Sequence, residues 1–358
     1  MEALRAEFPV LERVAYLNAG TSGPVPRRAL EAVRAVLERE VSEGRADGPF
    51  FQQSMAQSDA LRGRAASLLG CDVAEVALTG STTDGVNAVL AGLDLRAGDE
   101  VLTSDEEHPG LTAPLAVARS RHGIAIRALP FDELAGAVTA RTRLVACSHV
   151  SWVTGRVADV PALAAGGAPV LLDGAQGLGA VPIDVRALGC DFYAASGQKW
   201  LCGPNGSGYL YVRAERAAEL AAPWPGYPTV ADNADPLDPK LHADARRLDI
   251  GFMPAEHVAW ALASLDVLAA PGLEVVQRRA LALAEWLAAR LAERGLRLAP
   301  RGASTLVSYE ADDPKATVER LRGAGIVVRD LPGTPYVRAS VGGWSSEDEL
   351  DRLVALAT

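Results

Sequence analysis

Lysine is the residue this sequence most lacks. Of its 35 basic residues only Lys199, Lys240 and Lys315 are lysines, so arginine supplies positive charge almost everywhere. Arginine keeps its proton in a protein, whereas a lysine amine can shed one and attack a carbonyl. Few places in this chain can therefore do amine chemistry. Lys240 and Lys315 each stand in an Asp-Pro-Lys turn, while Lys199 lies between an apolar run and a Gly-rich loop. Cysteine is sparse too. Cys71, Cys147, Cys190 and Cys202 form no CxxC pair and show no close His/Cys spacing, which argues against a zinc site and reads as reduced core or loop thiols. No metal is expected. Long uncharged runs are missing, and Glu2, Arg5, Glu7, Glu12 and Arg13 interrupt any signal-peptide apolar stretch, so the expectation is a cytoplasmic chain without a membrane partner. Basic clusters are absent at a net charge of −10, which disfavours nucleic acid and leaves a small molecule as the default substrate. There is no internal repeat or low-complexity tract.

What is present is enough apolar material for a large core: 49% of 358 residues, one large or two modest domains. The chain is organised around residues 169–212. A strand from Pro169 to Leu172 ends in Asp173, a second runs from Asp191 to Ala195, and Ser196-Gly197-Gln198-Lys199 follows. Open α/β sheets bind ligands outside the carboxyl ends of their strands, where Asp173 and Lys199 both fall. Lys199 is therefore a Schiff-base candidate. Taken singly, it is equally a loop lysine reaching solvent, and Asp173 a helix cap; the combination carries the reading.

Along the chain, Pro26 opens a helix with Ala29, Leu30, Val33, Val36, Leu37 and Val41 at helical spacing, and a second helix spans Gln52 to Leu69. After a strand from Glu75 to Leu78, Ser81, Thr82 and Thr83 start a further helix, either as caps or as an anion site at its positive end. Strands at Glu100–Thr103, Ile124–Leu129 and Leu144–Ser148 alternate with helices expected to begin near Pro109 and Asp132, which argues for a largely parallel sheet covered on both faces. From Pro223 to Ala245 the chain reads as irregular, a length that covers a site or joins a subunit. Helices at Ala255–Leu268 and Leu273–Arg294 lead to an α+β region. Its strands lie near Thr305–Tyr309, Ile326–Arg329 and Tyr336–Ala339, and its helices at Ala316–Gly323 and Glu347–Ala357.

The sequences DGAQ at 173–176, SGQKW at 196–200 and GPNGSGYLYV at 203–212 are similar to the core of the class V aminotransferase family of pyridoxal 5'-phosphate (PLP) enzymes. That family includes cysteine desulfurases, cystine C–S lyases and isopenicillin N epimerases, and the resemblance runs from Tyr16 to Leu353. It implies an α/β protein of PLP-dependent transferase fold type I. A large PLP-binding domain over 16–265 would hold a mostly parallel sheet sandwiched by helices; residues 1–15 and 266–358 would form a smaller α+β domain. It also implies a homodimer. Lys199 would carry the cofactor and act as base, and Asp173 would pair with the ring nitrogen. Gln176 would donate to the phenolic oxygen and His108 would stack on the ring. Thr82, Thr83, Ser196 and Gln198 would hold the phosphate, Gln198 replacing the usual histidine. Arg338, with Arg329, would bind the substrate carboxylate, and Ala19 and Gly20 would offer backbone contacts near the substrate.

Departures from the pattern refine the reading. Trp152 stands where desulfurases carry Asn, and with Glu107-His108-Pro109-Gly110 it resembles the C–S lyase subgroup. Phe252 stands where desulfurases carry a Thr that reaches the phosphate of the partner subunit, so that contact is not carried over. The segment Asp330–Tyr336 lacks the loop cysteine of desulfurases and selenocysteine lyases, which disfavours a persulfide-forming enzyme. The implied reaction is β-elimination on a cysteine-derived amino acid, giving a sulfur leaving group, pyruvate and ammonia. Epimerisation or transamination is the alternative, and a catalytically silent scaffold is the reading from another class. Intact Lys199, Asp173 and Gln176 argue against the scaffold.

Overall fold

The computed structural model describes residues 1–357. A seven-stranded sheet is built from β1 (Val76–Thr79), β2 (Glu100–Ser104), β3 (Ala125–Leu129), β4 (Thr142–Ser148), β5 (Val170–Asp173), β6 (Phe192–Ser196) and β7 (Gly208–Val212), in the order β1-β7-β6-β5-β4-β2-β3. Successive residues alternate between two cores: Val145, Leu172 and Tyr193 enter one, Leu144, Leu171 and Phe192 the other. Helices therefore cover both faces, which is why these strands read as continuous apolar runs. Only β7 runs against its neighbours. Its connection to β6, residues 197–207, is shorter than the dozen or more residues of a parallel crossover, so the chain turns back on itself. The expectation of a mostly parallel sheet between helices holds.

The principal helices are α1 (Arg27–Glu43), α2 (Gly48–Leu69), α3 (Thr82–Gly92), α4 (Pro109–His122), α5 (Ala255–Ala269) and α6 (Leu273–Glu293). Ser81 caps α3 by accepting from the Asp84 amide at 3.1 Å, and His108 caps α4 by accepting at Nδ1 from the Gly110 amide at 2.9 Å. Both helices start directly after a strand, so their N-termini sit at the carboxyl edge of the sheet. No single helix among the described residues is long and apolar enough to cross a membrane.

A second sheet, antiparallel in the order β8-β10-β9, joins β8 (Leu306–Glu310), β9 (Arg329–Asp330) and β10 (Tyr336–Ser340), accompanied by α7 (Pro314–Gly323) and α8 (Glu347–Leu356). Ala15–Tyr16 pairs in parallel with Ile326–Val327, and Asn18 bridges to Ser340. The loop after Tyr16 is thereby fastened beside β10.

Three expectations need correction. No α-helix begins at Asp132: two 3-10 turns, Phe131–Glu133 and Ala135–Ala137, fill the connection, because Pro130 and Gly136 break up a short polar stretch. The segment from Pro223 to Ala245 is not featureless, for Val230–Asp232 and Lys240–Leu241 form a small hairpin. Arg329 does not end the strand that begins at Ile326. That strand changes partners at Val328, so Arg329 opens β9 and lies directly opposite Arg338. The α1 helix forms as expected; it buries Ala29 and Val36 of its apolar stripe and leaves Leu30, Leu37 and Val41 exposed, Val41 at 89%.

Candidate active site

The carboxyl ends of β1, β2, β4, β5 and β6 converge with β9, β10 and the loop after Asn18 on a cavity of about 250 Å³. Of the residues singled out from sequence, Gly20, Thr82, Thr83, His108, Trp152, Asp173, Gln176, Ser196, Gln198, Lys199, Arg329 and Arg338 all line it. Ala19 does not. It is packed in the core, because Leu17 to Ala19 follow the second sheet before the chain turns out at Gly20. Ser81, expected at the start of α3, lines the cavity too, and Thr21 and Ala175 line it and were not anticipated. Their neighbours Gly20 and Gln176 were, and adjacency in the chain is the only sequence signal they offered.

Electrostatics divide the cavity into a floor and a roof. On the floor, Asp173 is buried at the end of β5, takes a hydrogen bond from the Ala175 amide at 2.9 Å, and has no ion-pair partner. Burial raises its pKa, while Lys199 and the Ala175 amide oppose the rise. Lys199 lines the cavity and is half-buried. Burial lowers its pKa to about 8, with Asp173 holding it up and Arg338 and Arg329 pressing it down. The lysine thus titrates close to neutral pH.

The roof is cationic. Arg338 is 0% exposed, donates from Nη1 to the Trp152 carbonyl at 2.6 Å, and leaves Nε and Nη2 unpartnered. Burial and Arg329 lower its pKa to about 9. A buried guanidinium with two idle donors and no carboxylate is costly unless a ligand supplies the anion. Arg329 stacks 5.8 Å from the Trp152 ring and donates to Thr21 Oγ1 at 3.3 Å. His108 meets the same ring edge-on at 4.9 Å. Burial, then Lys199, Arg329 and Arg338, push its pKa down to about 4, so its imidazole is neutral at ordinary pH.

Between roof and floor, the Gln176 amide nitrogen donates to the Gly20 carbonyl at 2.8 Å and its oxygen accepts from Trp200 Nε1 at 3.0 Å. At the α3 end, Ser196 Oγ accepts from the Thr82 amide at 3.1 Å and meets Thr82 Oγ1 at 2.6 Å, while Gln198 Oε1 is buried without a partner. The cavity therefore combines an unpaired buried acid, a lysine whose pKa is lowered to about 8, an unpaired buried arginine and a helix N-terminus. That set suits a ligand with a cationic ring nitrogen, a reactive carbonyl and an anionic group, which are the features of PLP.

A mostly parallel sheet with a lysine and an acid at its carboxyl edge, plus an α+β region closing over them, is the fold of a PLP-dependent enzyme of type I. Residues 14–353 match the family described as Aminotransferase class-V, and the chain belongs to that family of PLP enzymes. The chain is 30% identical to a cysteine desulfurase of Cronobacter sakazakii over 99% of this chain and 97% of the other. It is 30% identical to isopenicillin N epimerase of Streptomyces clavuligerus over 98% and 96%. With a cysteine desulfurase of Klebsiella pneumoniae it shares 35% identity, but that match spans only 63% of this chain and 61% of the relative. Among solved structures, the cystine C–S lyase C-DES in complex with its product cysteine persulfide superimposes with a TM-score of 0.92 at 29% identity, covering 98% of this chain and 99% of that one. A C-DES variant with glycine covalently linked to its PLP gives a TM-score of 0.93 at 29% identity, over 99% and 98%.

Proposed function

We propose that this chain is a PLP-dependent C–S lyase that performs β-elimination on a cysteine-derived amino acid. Asp173 would face the cofactor's ring nitrogen, His108 would cover the ring, Gln176 would reach its phenolic oxygen, and Thr82, Thr83, Ser196 and Gln198 would hold the phosphate. Bound there, PLP supplies an electron sink for the pair left when the substrate's Cα–H bond breaks. Lys199 takes that proton, its pKa of about 8 keeping an accepting fraction of the amine at neutral pH. Arg338 forks its idle donors onto the α-carboxylate and Arg329 adds a second cation beside it. The Cβ–S bond then breaks with its electron pair leaving on sulfur, and the released 2-aminoacrylate takes up water to give pyruvate and ammonia.

One observation carries the choice of elimination without persulfide transfer: none of the four cysteines lines the cavity. Cys147, Cys190 and Cys202 are buried in the core, burial pushes the pKa of every cysteine thiol up, and the segment Asp330–Tyr336 beside the arginines carries no thiol. Screening sulfur amino acids for pyruvate release, with α-proton exchange measured alongside, is the direct test. Pyruvate from cystine or a cysteine conjugate is expected. Exchange or inversion without pyruvate would instead make the chain an epimerase. A variant with all four cysteines replaced by alanine should still release pyruvate while folded; loss of activity would restore a covalent-sulfur route.

We also propose a homodimer. Leu30, Leu37 and Val41 on α1 and Phe51 and Met55 on α2 are exposed, and a hollow of about 820 Å³ lined by Met55, Tyr227, Ile250 and Phe252 opens beside Gly80 at the start of α3. Large apolar side chains left exposed on these two helices favour a second copy over solvent. Sedimentation should show a dimer, with activity falling on dilution; a monomer retaining full activity would contradict it.

A further inference from the structure

Cys202 is the only residue other than glycine with a positive φ among the described residues, at 56°. Such a backbone is disfavoured for any residue with a Cβ and persists only where its surroundings over-determine it. Cys202 lies three residues after Lys199, and its amide donates to the Lys199 carbonyl at 3.1 Å. Its own carbonyl accepts from Trp260 Nε1 at 2.9 Å and from Ser264 Oγ at 2.9 Å, two donors one turn apart on α5 that together use both lone pairs of one oxygen. The other side of the turn is closed by Gly23. Its amide donates to the Gln198 carbonyl at 2.8 Å, and a Cβ there would stand 2.1 Å from the Lys199 carbonyl. The α5 helix packs in turn against α1 and α2. The backbone carrying Lys199 is thus gripped from the front by the loop after Asn18 and from behind by α5.

We propose that Trp260 and Ser264 are positioning residues: by holding the Cys202 carbonyl they keep the Lys199–Cys202 turn left-handed and so fix where the Lys199 amine enters the cavity. This rests on the reading of Lys199 as the cofactor lysine and base. The thiol has no part in the device, since the constraint lies in the backbone. Without the two donors, Cys202 falls back to an ordinary negative φ and the lysine stem swings out of line. A displacement of about 1 Å at a reacting group costs on the order of 10- to 100-fold in rate.

The test is the Trp260→Phe, Ser264→Ala pair, made in the full chain and supplied with PLP, alone and combined with Cys202→Gly or Cys202→Ala. In the pair alone, uptake of PLP by apoprotein, followed by its visible band and by borohydride fixation at Lys199, is expected to slow by about 10-fold. kcat should fall by a similar factor with little change in KM, and the acid limb of its pH profile should move up as the amine regains contact with water. Cys202→Gly should restore much of each loss, because glycine accepts a left-handed backbone unaided. Cys202→Ala should restore nothing. Parent-like uptake and pH profile in the pair, or equal rescue by alanine, would overturn the proposal. Should the pair fail to fold, each single substitution removes one donor and is read the same way. A borohydride label on Lys240 or Lys315 in the parent would instead defeat the assignment of Lys199 itself.

Discussion

Lys199→Ala is expected to yield a folded protein that borohydride no longer links to PLP and that turns over amino acids about 10⁴-fold more slowly, the range for loss of a positioned acid–base group. Borohydride linkage and turnover should vanish together, because one amine serves both as the point of cofactor attachment and as the base. The parent should show the complement, with label on Lys199 and none on the exposed Lys240 and Lys315. In the apoprotein, labelling of Lys199 by a carbonyl reagent should accelerate as the pH rises through about 8, since only the neutral amine is nucleophilic and burial lowers its pKa to that value. An active Lys199→Ala protein that borohydride still links to PLP would end the proposed mechanism.

Arg338→Lys is expected to keep the visible band and lose about 100-fold in kcat/KM, within the cost of truncating one partner of a buried charge pair. Lysine keeps a point charge but loses the planar fork that would fix the carboxylate, and it cannot also reach the Trp152 carbonyl as Nη1 does at 2.6 Å. Arg329→Lys should cost less than about 10-fold, mainly through KM, because Arg329 is only partly buried and its guanidinium already shares itself between Trp152 and Thr21. Should Arg338→Lys match the parent, the carboxylate site lies elsewhere and the case for C–S lyase chemistry weakens with it.

Much of the site was legible because strand ends are legible. Asp173, Lys199 and His108 each follow an apolar run, and an apolar run buried on both sides has its polar terminus at the sheet edge. The misreadings arose where local pattern does not set the outcome. A helix was expected to begin near Asp132 from the alternation of strands and helices, but Pro130 and Gly136 left too little room for one. Ala19 was placed near the substrate by the family resemblance of its loop, and one residue separates core from cavity there.

By itself the sequence determined the alternation of buried strands and helices and the lysine and acid at the sheet's carboxyl edge, since each follows from residue type and periodicity along a short stretch of chain; the family came from the resemblance of its motifs. Tertiary structure alone decided the rest. It set Arg329 opposite Arg338 through a change of strand partner at Val328, and left Arg338 buried with two idle donors. It also brought Trp260 and Ser264, some sixty residues on in the chain, onto the Cys202 carbonyl behind Lys199. A charge shift or a strained turn depends on what surrounds a group in space, and those neighbours come from strands and helices far apart in sequence.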